Sequence, residues 1–356
     1  MCFAKARLQH RSVILMAGLL LIGCLAPVAG AAEGPQGADA ATRRGIPATA
    51  PAATARAISD TPTIGRRMLI YGWGLSFVAV IGTDGQEEWR CNSGGAIDAW
   101  LLDDGAVVFG NGQSIQEVRR DPAAKKGYTV VWQRKAGGTP QGDEKPKTSE
   151  CFSCQPLAEN RILIGENGNG RVELIEIERG SMVEKFHIAI TDPKFGNAHG
   201  LTRKVRKTAR GTYLFTKMGK EGYEYDATGK LLRRFPDVGF ELQQLPDGSY
   251  LGSGGDTHCV IGFDCEGKET WRIRKNDVPG FSLGLVAGVC RLDDGSLLVS
   301  NWGGHSPASE QPSLGPCVGR ISADHKTLIG SFRTTPANRI CGVQVLPAPD
   351  ERKAPP

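Results

Sequence analysis

The sequence is poor in aromatic residues and in charge of one sign, and past residue 31 it shows no sustained apolar spacing of three and four residues. The last of these removes amphipathic helices as the main building unit, because a helix repeats its buried face with that period. Lys and Arg number 43 against 38 Asp and Glu, and Lys5, Arg7 and Arg11 fall in a removable leader, which leaves 40 against 38. So small an imbalance makes little field beyond a Debye length, and nucleic-acid binding is not expected. Local catalytic signatures are missing too. There is no H-E-x-x-H helix, G-x-x-x-x-G-K-[ST] phosphate loop or C-x-x-C-H haem site, so the common metalloprotease, nucleotide and haem patterns are excluded.

What is abundant is glycine and proline, 47 and 21 of 356 residues, which favours a turn-rich, all-β chain. Its N-terminus reads as an export signal. Three basic residues precede the apolar run 13–23, and small residues follow through Ala29-Gly30-Ala31, so residues 1–31 form a secretory signal peptide. Leu21-Ile22-Gly23-Cys24 resembles a bacterial lipobox, with Cys24 as the lipidated residue. Cleavage near Ala31 and a lipid tether at Cys24 are the two routes, and either places the protein in the periplasm or outside the cell. Residues 32–65, rich in Ala, Pro, Thr and Gly, bury too little apolar surface to offset ordering entropy and read as a linker. Residues 66–346 continue without a comparable break as one domain, 347–356 form a tail, and a monomer is expected.

Beyond Cys2 and Cys24 the chain carries Cys91, Cys151, Cys154, Cys259, Cys265, Cys290, Cys317 and Cys341. An even number in an exported chain predicts disulfides of undetermined connectivity. Cys259 and Cys265 lie at opposite ends of one strand and should not pair with each other. Cys151-Phe-Ser-Cys154 is either a redox pair or structural, and no strand-helix unit of thioredoxin type surrounds it.

Internal repetition sets the fold. The stretch 286–305 reads as a strand, an Asp293-Asp294-Gly295 turn, a second strand, and a glycine loop carrying Trp302 and His305. The same hairpin recurs at 98–112, 154–168, 204–219 and 242–255. A sixth copy is split, its second strand at 68–74 and its first at 340–346. Each hairpin is followed by two more strands, the last bearing one aromatic: Trp89, Trp132, Phe186, Phe235, Trp271 and Phe332. These recur 36 to 61 residues apart, around the roughly 40 to 50 of a four-stranded blade. The pattern predicts a six-bladed β-propeller whose C-terminal strand completes the first blade, with the aromatics packed between blades.

The Asp226-Ala-Thr-Gly229-Lys230 turn before an aromatic strand, the His199-Gly200 opening, and the run from Pro279 to Gly288 continued by Asn301-Trp302-Gly303-Gly304-His305 resemble secreted bacterial PQQ-like and arylsulfotransferase-like propellers. The resemblance covers residues 66–346. It implies group transfer with His199 as acid, base or nucleophile, although arylsulfotransferases are longer and quinone-dependent dehydrogenases have eight blades. Cys24 adds a resemblance to the lipid-anchored propeller subunit of the outer-membrane barrel assembly machine, an eight-bladed ring.

In a propeller, the starts of the first strands and the loops after the second strands share one face around the axis. That face gathers His199, His258, His305 and Glu241, a candidate catalytic set, since imidazole serves as acid, base or metal ligand and a carboxylate tunes it. It also gathers Asp98, Trp73, Asn111, Asn167, Arg203, Asn301 and Trp302 as candidate ligand contacts, the tryptophans suited to stacking on a ring. Arg203, Lys204, Arg206, Lys207 and Arg210 make one first strand strongly basic, which either draws an anion or forms a solvated edge. The expected function is binding of a small ligand, glycan or protein partner on this face. The rivals are a sulfotransferase-like, lyase or hydrolase enzyme and a lipid-anchored envelope scaffold. No metal or cofactor is specified.

Overall fold

The Leu-Asp-Asp-Gly turns do what their residues demand. At 292–296 the Leu292 N–H donates to the Ser296 carbonyl (2.8 Å), Asp294 accepts from the Ser296 N–H (3.0 Å), and Gly295 takes φ of 80°. Asp104 and Gly105 build the same turn at 102–106, as do Asp247 and Gly248 at 245–249. Only glycine adopts that backbone without strain.

The computed structural model describes residues 63–137, 149–168, 170–191, 202–217, 221–303, 316–334 and 339–347. Within them the turns join strands into six antiparallel four-stranded blades, each numbered here from the axis outward. Blade 1 is β24 (Gly342–Val345), β1 (Met68–Tyr71), β2 (Phe77–Ile81) and β3 (Glu87–Asn92). Blade 2 is β4 (Asp98–Leu101), β5 (Val107–Gly110), β6 (Ser114–Arg120) and β7 (Tyr128–Lys135). Blade 3 is β8 (Glu150–Leu157), β9 (Arg161–Gly168), β10 (Arg171–Glu178) and β11 (Glu184–Thr191). Blade 4 is β12 (Val205–Lys207), β13 (Tyr213–Lys217), β14 (Glu221–Tyr225) and β15 (Leu231–Pro236). Blade 5 is β16 (Glu241–Gln244), β17 (Tyr250–Ser253), β18 (Val260–Phe263) and β19 (Glu269–Ile273). Blade 6 is β20 (Leu285–Arg291), β21 (Leu297–Trp302), β22 (Val318–Ile321) and β23 (Leu328–Phe332). The expected six-bladed ring is therefore present, and so is its closure: β24 lies on β1 with Tyr71 opposite Gly342 and Met68 opposite Val345.

The core is divided among the six junctions. Each holds one apolar cluster and, in it, one outer-strand aromatic: Trp89 between blades 1 and 2, Trp132 between 2 and 3, Phe186 between 3 and 4. Phe235, Trp271 and Phe332 serve the remaining three. Ile64 already belongs to the blade 6/1 cluster.

The predicted disulfides are absent among the described residues. All eight cysteines there are free thiols, and six are buried. Five of those six are dispersed through the packing between blades: Cys91 at 1/2, Cys151 and Cys154 at 2/3, Cys259 at 4/5 and Cys317 at 6/1. They act as small apolar side chains. Burial raises the Cys151 and Cys154 thiols well above the ordinary value, and both side chains are packed in the blade 2/3 cluster.

Candidate functional site

Register fixes which residues meet at the axis. Asp98 opens β4 opposite Gly110, the end of β5, so innermost-strand starts and second-strand ends share one face, called here the upper face. One residue before several of those starts lies an apolar layer. Ile97, Phe240 and Cys341, joined by Phe152, Ala287 and Trp302, close into a seventh cluster across the axis.

Directly beneath this collar sits a buried ion network. Arg206 donates from Nη1 to Asp98 Oδ2 (2.7 Å) and from Nη2 to Asp98 Oδ1 (3.0 Å) and Glu241 Oε1 (2.7 Å). Lys204 Nζ donates to Glu241 Oε2 (2.9 Å) and lies 3.4 Å from the Tyr71 hydroxyl. Asp98 also accepts from Ser153 Oγ (3.1 Å) and the Cys154 N–H (3.2 Å). Two cations face two carboxylates, so the layer is neutral. Burial alone would raise the Glu241 carboxyl, but the Lys204 and Arg206 charges outweigh it and hold it below its ordinary value. Burial would lower Arg206, yet Asp98 and Glu241 raise it further still. Burial, then the neighbouring carboxylates, push the Tyr71 phenol well up, so it stays neutral while its oxygen accepts from Lys204.

Missing side chains make room for this network. A Cβ at Gly342 would strike the Tyr71 hydroxyl, and one at Gly288 would lie 3.2 Å from Lys204 Nζ and 3.2 Å from Glu241 Oε2. The axis is thus filled by mutually satisfied groups. The basic strand is neither an open anion lining nor a solvated edge, since Lys207 pairs with Glu176 and Arg210 with Glu224 in addition.

The candidate residues divide accordingly. Asp98 and Glu241 belong to the ion network. Asn111 caps its own loop: Oδ1 accepts from the Gln113 and Ser114 N–H groups (3.1 and 3.0 Å) while Nδ2 donates to the Ser93 carbonyl (2.9 Å). Asn301 holds the approach to β20, accepting from the Gly284 N–H and donating to the Ser282 carbonyl (2.8 Å). Asn167 is buried at a small cavity of about 70 Å³ between blades 2 and 3, lined also by Glu166, Arg171 and Glu173. His258 has φ of 55° and its Nδ1 meets the Gly284 carbonyl (2.8 Å), so this nitrogen carries the proton. Trp302 is 4% exposed, edge-on to Phe240 in the collar.

Trp73 differs from all of these. It is 37% exposed in the β1–β2 loop, its ring edge-on to Phe152 at 5.7 Å, with the Arg203 guanidinium 5.0 Å from the other partner, the Phe152 ring centroid. His199, His305 and Cys24 lie outside the described residues. The sequence reading missed Tyr71, Lys204 and Arg206 as one unit with Asp98 and Glu241. The signal was present, because acids and bases at the same repeat position of different blades must meet at the axis.

No protein-family model and no curated protein matches the sequence. Solved structures do match in fold. A protein of unknown function from Bacteroides caccae is 20% identical, with TM-score 0.65, covering 78% of this chain and 98% of its own. A virginiamycin B lyase from Staphylococcus aureus is 12% identical, with TM-score 0.46, covering 77% and 82%. BamB from Moraxella catarrhalis is 11% identical, with TM-score 0.41, covering 67% of each chain. The chain is a six-bladed β-propeller.

Proposed function

We propose that the protein is an exported binding propeller that takes a ring-bearing ligand, a glycan in the simplest case, on its upper face at Trp73. Export rests on the leader, its basic residues and its small-residue cleavage region. One observation carries the site: among the predicted upper-face contacts, the axial polar groups are consumed by one another, whereas Trp73 keeps an aromatic surface open to solvent. Its edge contact with buried Phe152 holds that surface in place, which lowers the entropy lost on binding.

The test is isothermal titration of the mature protein with a panel of methyl glycosides and short oligosaccharides, in wild type and Trp73→Ala. Loss of the indole should weaken a binding sugar about tenfold, or 1.4 kcal/mol, with the melting temperature unchanged. Binding that survives Trp73→Ala undiminished places the ligand elsewhere, and a panel with no binder refutes the glycan reading.

A further inference from the structure

We infer that the ring-bearing ligand at Trp73 carries an anionic group, a carboxylate such as that of a hexuronic acid, received by Arg339. This rests on the Trp73 reading above and adds the charge of the ligand to it.

Glycines on both sides of Trp73 exist for Arg339. A Cβ at Gly72 would collide with the Arg339 carbonyl, and one at Gly74 would run into Arg339 Cδ and Cγ. The loop that presents the indole is therefore cut away so that the arginine stem can cross it. Arg339 is half-buried, and among the described residues it has no hydrogen bond or ion pair. That sets it apart from Lys204, Arg206, Lys207 and Arg210, each of which has a carboxylate partner.

The surroundings reinforce the positive character of this corner. The Trp73 backbone N–H donates to Cys341 Sγ (3.2 Å), which fixes the indole loop to the segment that carries Arg339 and leads into β24. Burial pushes the Cys341 thiol up to about 11, while Lys204, Arg203 and Arg339 all act to lower it, so three cations converge there. Burial lowers Arg203 in turn, with Glu150 and Asp256 acting against that. Lys204 is neutralised by Glu241 one layer deeper. The most exposed of these cations, Arg339, has its stem against Gly74, next in sequence to the exposed Trp73.

That pairing has a chemical meaning. An indole receives the C–H face of a sugar ring, and a guanidinium receives a carboxylate through two parallel N–H donors. A neutral sugar satisfies only the first. A ring with a carboxylate in or near its plane satisfies both, and a stem already held across Gly74 loses little freedom on binding it.

Titration of the mature full-length protein with methyl β-D-glucuronide and its neutral twin, methyl β-D-glucoside, decides the matter. The glucuronide should bind at least tenfold tighter in 50 mM salt, and the preference should shrink as salt rises to 0.5 M. Arg339→Gln should bring the two sugars within twofold while leaving glucoside affinity intact. Arg339→Lys, which keeps the charge without the fork, should retain part of the preference and serves if the glutamine variant fails to fold. Equal affinities in wild type, or a preference that persists in Arg339→Gln, overturns the assignment. If both sugars bind equally and both weaken in Trp73→Ala, the aromatic reading stands and the charge assignment falls. If neither binds, the charge assignment falls, and the glycoside panel above decides the aromatic reading.

Discussion

Arg206 stands between two carboxylates in a buried layer, and its removal exposes how such a layer works. Breaking a buried pair from one side leaves the other charge uncompensated, so Arg206→Met should cost about 3–5 kcal/mol by urea unfolding. Replacing Asp98, Glu241 and Lys204 together with Arg206 by apolar residues should cost far less than the sum of the single changes, because the penalty is one of orphaned charge. Room is the second requirement. Gly342→Ala drives a methyl into the Tyr71 hydroxyl and should destabilise by about 1–3 kcal/mol. His325 offers a pH test. It occupies, at φ of 64°, the turn position where blades 1, 4 and 5 have Gly85, Gly229 and Gly267, and its ring lies 4.1 Å from that of Trp271 on the next blade. Burial lowers its pKa from 6.5 despite Asp324. A folded value below the unfolded one means its contribution to stability is complete above pH 6.5 and is lost as pH falls through the folded value. His325→Asn, which tolerates the same backbone, should flatten the stability profile between pH 7 and 5 when melting is followed by circular dichroism.

At the scale of elements, closure of the ring matters most. β24 is four residues long, yet without it β1 becomes an exposed edge and the blade 6/1 cluster loses Ile340 and its contacts with Val343 and Val345. A chain ending at residue 338 should therefore lose cooperative melting and associate, as read by calorimetry and size-exclusion chromatography. This architecture was legible in the sequence, for physical reasons. Asp-Gly turns have few conformational solutions, and an aromatic that repeats once per blade must repeat its packing. The split copy could be read because half a hairpin at each end has only one way to hide its edge. The disulfides were misread because cysteine count and export describe an environment, whereas Cys91, Cys259 and Cys317 were spent on separate blade junctions. The ion network was only half legible: Asp98 and Glu241 were placed on the axial face, but the strand carrying Lys204 and Arg206 was not recognised as their counter-charge.

For the molecule as a whole, the free thiols give a simple check on the packing. With reductant absent, a thiol reagent should label Cys265 first, since it alone of the eight is exposed, and slowly, because Glu266 beside it raises its pKa. All eight should titrate once the fold is melted, and any disulfide among them would contradict the interblade assignment. The larger claim is that the axis is a closed structural plug, so that recognition belongs to the upper rim. The candidate site was legible to the extent that Trp73 could be named from its glycine-flanked loop. Arg339 could not, since nothing in Asn338-Arg339-Ile340 announces a neighbour 266 positions away. Hydrogen exchange with and without saturating methyl β-D-glucuronide tests this claim most directly. The account predicts added protection confined to peptides spanning 71–77 and 339–343; protection concentrated instead in the walls of the axis, at 98–101 and 241–244, would contradict it.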